Sequence, residues 1–110
     1  MAKTRVLVEF GMGTSLRRED YTEAAKRAIK DALWHNSVSL AELFDFPKEA
    51  MIIDAEIGVA KPDKVDVEAL REIFPYGQPS ITVTEGGLDV TKPQGQSVTV
   101  IANAAVIVSF

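Results

Sequence analysis

The chain has 110 residues, 46% of them hydrophobic and 25% charged, which fits a single domain over residues 1–110 around one core. A formal net charge of −4 and a pI near 4.9 exclude broad affinity for nucleic acid or an anionic membrane surface, since both need a basic excess. With no cysteine and one histidine, disulfides, thiolate metal sites, cysteine nucleophiles and multi-histidine zinc sites fall away.

Near the start, Arg5 to Phe10 alternates as a half-buried strand, with Val6, Val8 and Phe10 on one side and Arg5 and Glu9 on the other. Glu9 breaks this apolar run too early for a signal-peptide core. A Gly-x-Gly turn and a polar stretch, "GMGTSLRRE", follow. Asp20 then reads as a helix N-cap with Glu23 at the capping-box position. Tyr21, Ala24, Ala25, Ala28, Ile29, Ala32 and Leu33 recur at helical spacing and form one apolar stripe. Asn36 supplies a left-handed stop. A short helical turn is expected around Leu40 to Phe44, ahead of Pro47.

Met51 to Val59 alternates again, Met51, Ile53, Ala55, Ile57 and Val59 opposing Ile52, Asp54 and Glu56. A shorter helix capped by Asp66 turns Val67, Leu70, Ile73 and Phe74 inward and stops at Pro75 and Gly77. Ser80 to Thr84 and Ser97 to Val108 are the last two strands, joined by the long loop "EGGLDVTKPQGQ". No apolar run approaches the roughly 18 residues of a membrane span.

The expected fold is α+β, a single β-α-β-α-β-β domain with a mixed four-stranded sheet and two helices on one face. Two helices cover only one side of such a sheet. The other side carries Leu7, Ile52, Ile101, Ala105 and Ile107 among charges and hydroxyls, too apolar for water and too polar for an ordinary core. Its burial in a homo-oligomer, a trimer being one form, is the economical solution.

Four features invite a chemical reading. Free backbone N–H groups around Gly11 to Thr14, the hydroxyls of Thr14 and Ser15, and Arg17 and Arg18 could hold a carboxylate or phosphate; a tight turn with solvated charges explains the same residues. His35 could move a proton near neutral pH, or cap the last carbonyls of its helix. Asp54 and Glu56 lie about 6 to 7 Å apart on one strand face, as an acid/base pair, a cation site or an ion pair with Arg5, and Glu9 and Asn103 share that ambiguity. Glu85 to Leu88 opens a loop long enough to be functional, or forms a bulge.

The strand ending in "GMG", the helix ending in "HNS", the later "EGGL" and the closing "IANAAVIV" together resemble a small conserved family of unknown function in bacteria and plants, over almost the whole chain. That family continues its Gly-x-Gly with an aspartate and a His-Gly pair. Here Ser15 stands at the aspartate position and Arg17 and Arg18 at the His-Gly positions, so those acid/base roles do not transfer. Gly11, Gly13, His35, Asn36, Ser37, Glu85, Gly86, Gly87 and Asn103 do match. At fold level the element order is similar to the trimeric chorismate-mutase and YjgF/RidA type, which implies ligand clefts between subunits.

Taken together, the expectation is a small cytoplasmic homo-oligomer, with no cofactor or metal, that binds a small polar or anionic metabolite in a subunit-interface cleft near the Gly11–Arg18 loop. Gly11, Gly13, Thr14, Ser15, Arg17, Arg18 and Asn103 are the candidate ligand-binding residues. If the cleft does chemistry, hydrolysis or isomerisation fits the fold analogy, with His35 and Glu85 moving protons. The alternative is a non-catalytic structural or regulatory homo-oligomer.

Overall fold

A computed structural model describes residues 5–16, 18–34, 52–74, 78–93 and 98–109. Among these residues, five strands and two α-helices follow in the order β1 (Arg5–Ser15), α1 (Tyr21–Trp34), β2 (Ile52–Val59), α2 (Val67–Arg71), β3 (Gln78–Glu85), β4 (Leu88–Thr91) and β5 (Val98–Ser109), with a 3-10 turn at Pro62–Lys64 before α2. The α+β architecture with a mixed sheet is as expected. His35 and the turn expected at Leu40 to Phe44 lie outside the described residues, as does Arg17. Among the described residues, no helix is long and apolar enough to cross a membrane.

The strands lie in the order β1-β5-β2-β3. β5 is the central strand, antiparallel to β1 on one side and to β2 on the other, while β2 and β3 are parallel. β4, which fell within the expected loop, pairs with β5 from Leu88↔Ile101 to Thr91↔Val98. Ser15 and Thr14 of β1 pair with the same stretch of β5, so β4 lies on the side opposite β1. It therefore continues the lane of β2, just past the point where Gly58 meets Asn103. The chain thus steps sideways by one lane between β3 and β4.

"EGGL" is that step. The Gly86 N–H donates to the Val59 carbonyl at 2.9 Å. A Cβ on Gly86 would meet the Gly58 Cα at 3.1 Å, and one on Gly87 would sit 2.2 Å from the Ile101 carbonyl oxygen. Gly87 also has φ +60°, which glycine adopts without strain.

Alternation places Ile53, Ala55, Ile57 and Val59 of β2 and Val100, Ala102, Ala104, Val106 and Val108 of β5 under the helices, all buried. Ala24, Ala25, Ala28, Ile29 and Ala32 of α1, with Leu70 of α2, close this core from above. Asp20 caps α1 as expected, its Oδ1 accepting from the Glu23 N–H at 3.0 Å, and Asp66 caps α2 through the Ala69 N–H.

β1 corrects the sequence reading in two ways. It runs on through both glycines to Ser15, and its faces are reversed. Phe10 pairs with Ala105 and Val8 with Ile107, on the side away from the helices. Glu9, Gly11, Gly13 and Ser15 point to the helix side, because their partners Val106, Ala104, Ala102 and Val100 do. The reason is the approach of α1: a Cβ at Gly11 would sit 2.2 Å from the Ala28 carbonyl oxygen, and one at Gly13 2.2 Å from that of Ala24. Only hydrogens fit between this strand and the alanine stripe, so the larger side chains take the other face. A one-residue change of register flips every side chain, and "GMG" decides the register.

Candidate functional site: the uncovered sheet face

The sheet face that no described helix covers is built from alternate residues of all five strands. β1 supplies Val8, Phe10, Met12 and Thr14; β5 supplies Thr99, Ile101, Asn103, Ala105, Ile107 and Ser109. β2 adds Ile52, Asp54, Glu56 and Gly58, β3 adds Ser80, Thr82 and Thr84, and β4 adds Leu88 and Val90. Phe10 is 69% exposed and Met12 and Leu88 are each 56% exposed. Val90 is exposed on the same face, and Leu16 is exposed just past the end of β1. Exposed large apolar side chains sharing one face are a feature of interaction surfaces in general.

The face is not uniform. Its apolar part follows β1, the start of β5 and β4. Its polar part lies across β2 and β3 beside the end of β5. There a groove of about 310 Å³ is lined by Asp54, Glu56, Ser80, Thr82, Ile107 and Ser109. A neighbouring hollow of about 270 Å³ is lined by Phe10, Glu56, Gly58, Thr84, Asn103 and Ala105 among others. Glu56 borders both. Asp54 and Glu56 share this face, as their spacing implies. Among the described residues, no group of three His, Cys, Asp or Glu side chains could hold a metal ion.

The expected binding residues are divided by this arrangement. Asn103 is exposed in the middle of the uncovered face, between Met12 and Gly58. Thr14 is on that face too, paired with Ile101. Gly11 and Gly13 are on the opposite side, pressed against α1. Their N–H groups are not free, contrary to expectation. The Met12 N–H points outward to Asp31 at 3.0 Å, so by the alternation of an antiparallel ladder those of Gly11 and Gly13 point to β5.

Ser15 is buried, and its Oγ accepts the Asp20 N–H at 3.1 Å. Glu19, with φ +49°, returns its carboxylate to the Val98 N–H at 2.7 Å. The polar groups of this turn are thus largely used to tie β1, α1 and β5 together, while Arg18 is exposed. Glu85 is exposed at the end of β3, opposite Val59.

One polar constellation escaped the sequence reading. Tyr21, buried at the start of α1, donates its hydroxyl to Asp89 Oδ2 in β4. Burial pushes the phenol up to about 12, reinforced by the Asp89 hydrogen bond and by the negative charges of Asp89 and Glu19. The other carboxylate oxygen, Asp89 Oδ1, is buried with no partner among the described residues. Periodicity marks Tyr21 only as an apolar-stripe residue and places Asp89 in a loop, so no local signal joins them.

Residues 5–108 match a family described as conserved hypothetical protein, Lin0512_fam. A solved structure from Nostoc punctiforme PCC 73102, described as an FtsZ-like protein of unknown function, is 31% identical, superposes with a TM-score of 0.89, and is matched over 100% of this chain and 98% of that one. No curated protein matches the chain. The match across nearly every residue from β1 to β5 places this protein in the Lin0512 family of conserved hypothetical proteins.

Proposed function

We propose that this protein is a homo-oligomer that uses the uncovered sheet face as its subunit interface and holds a small polar metabolite in the groove at the polar end of that face. The observation that carries the reading is the band of Phe10, Met12, Leu88 and Val90, all exposed on the one side of the sheet that no described helix covers. Hiding such side chains is worth about 25 cal/mol per Å² of apolar surface. Four strand lanes by the 12 residues of β5 give a footprint of about 700 Å², close to the about 800 Å² that each partner commits to a standard interface.

Three copies suit this geometry. Sheets packed face to face stand about 10 Å apart, so each lies about 5 Å from a common axis. A three-sided prism of that depth has sides about 17 Å wide, close to the about 19 Å spanned by four lanes. Its interior is then filled by side chains, and the polar ends of the three faces form clefts. Asn103, Thr84, Thr82 and Ser80 offer a ligand amide and hydroxyl groups there. This moves the ligand site from the Gly11–Arg18 loop, whose Met12 N–H and Ser15 hydroxyl are already bonded, to the sheet face. The reading is one of assembly and binding and assigns no reaction.

Light scattering on eluting protein tests it. A mass near three chains of 12.0 kDa is expected, and Phe10→Asp with Met12→Asp should give a folded monomer. A wild-type monomer at high concentration would refute the assembly.

A further inference from the structure

A sheet has two edges as well as two faces, and this one treats its edges differently. Along β1, α1 bonds two of the outward backbone groups. The Met12 N–H donates to the Asp31 carboxylate at 3.0 Å, and the Thr14 carbonyl accepts from the Arg27 guanidinium at 2.6 Å. Arg27 is itself held by Glu23 at 3.3 Å. Residues 27 and 31 are one turn apart on α1, so one helix face closes two successive outward positions of the strand.

Along β3, at the far edge, Arg71 donates to the Pro79 carbonyl at 2.9 Å. The odd-numbered residues of β3 therefore face outward, while the Gly86 N–H, of the other parity, points back to Val59. Pro79 has no N–H to present. Beyond it, the outward backbone groups of Ile81 and Val83 receive no side chain among the described residues. A row of unpaired groups like this is a template for another strand.

We infer that Arg27 and Asp31 hold the β1 edge shut against the β3 edge of a second copy, and so keep the chain from extending its sheet from molecule to molecule. The latent partner is set by topology. β1, β2 and β3 all run antiparallel to β5, so a copy displaced sideways along the sheet brings its β3 beside β1 in the same parallel sense as the β2–β3 pair. That contact joins two different edges head to tail, and a contact of this kind repeats from copy to copy unless its rotation closes a ring. It does not depend on how the uncovered face is used.

Sedimentation velocity across a concentration series tests the inference. Arg27→Ala with Asp31→Ala should produce species that grow with concentration beyond the wild-type mass. Arg27→Lys with Asp31→Asn keeps a donor and an acceptor on the edge and should retain the wild-type mass. Adding Val83→Pro to the alanine pair removes an outward N–H while sparing the β2–β3 ladder, and should suppress the growth. If the alanine pair loses its circular-dichroism signal, either single alanine variant, which frees one backbone group, is read in its place. The same growth is expected in the Phe10→Asp, Met12→Asp background, which separates this inference from the fate of the face assembly. A folded alanine variant that keeps the wild-type mass at every concentration would overturn the edge role, and growth unaffected by Val83→Pro would overturn β3 as the partner.

Discussion

The hydroxyl of Tyr21 hydrogen-bonds to the carboxylate of Asp89, 68 residues later in the chain, and this bond pins β4 to the first turn of α1. β4 has four residues and, among the described residues, one neighbouring strand to hold it, so the clamp matters to its placement. Replacing Tyr21 with Phe leaves a carboxylate without its donor, when its other oxygen has none among the described residues. The expected cost is about 1–3 kcal/mol, measurable by urea denaturation.

The same pair makes stability depend on alkaline pH. The Tyr21 phenol ionises at about 12 in the folded protein against 10.0 for a free tyrosine. Between these values the unfolded chain has lost the proton that the folded one keeps, so stability falls as pH rises from about 10 to about 12 and levels off above. Below pH 10 the contribution is fully present. Subtracting the denaturation free energies of Tyr21→Phe from those of wild type at each pH isolates this fall, and a difference that stays flat across the window would contradict it.

Gly11→Ala and Gly13→Ala should each destabilise at or above the upper end of the 1–3 kcal/mol typical of overpacking. The atoms a methyl group would strike belong to the α1 backbone, which cannot swing aside as a side chain can. Thermal melts of the two variants check this, and near-native melting temperatures would show that α1 can lift from β1.

At the β3–β4 step the two glycines should differ. Gly87→Ala meets both an unfavourable positive φ and the Ile101 carbonyl oxygen at 2.2 Å, while a methyl on Gly86 meets the Gly58 Cα at 3.1 Å. Gly87→Ala is therefore expected to cost clearly more, and hydrogen exchange at β4 should report the loss first.

Asp20→Ala removes the side-chain acceptor for the Glu23 N–H and should cost about 0.5–2 kcal/mol, with no change in the alkaline dependence set by Tyr21. Chemical denaturation at neutral and high pH separates the two effects.

Much of the fold is legible in local pattern. The alanine stripe and Asp20 mark α1, the alternation at Ile53 to Val59 marks β2, and the β5 pattern from Val100 to Val108 marks the central strand, because each repeats its burial period over several residues. From these alone came one helix-covered face and one partly apolar face left over. What local pattern could not supply was β1 beyond Phe10, since two glycines carry no hydropathy signal and their role exists only where α1 approaches. It could not supply β4 either, because a four-residue strand in a glycine-rich stretch is defined by its partner on β5. The candidate site divides in the same way: Asn103 lines the hollow beside the groove as an alternating residue of β5, whereas Gly11, Gly13 and Ser15 are packing and turn residues because the helix closes on them. Periodicity tells which residues share a face, but the distance between two elements decides which face is inward, and that distance is a property of the folded chain.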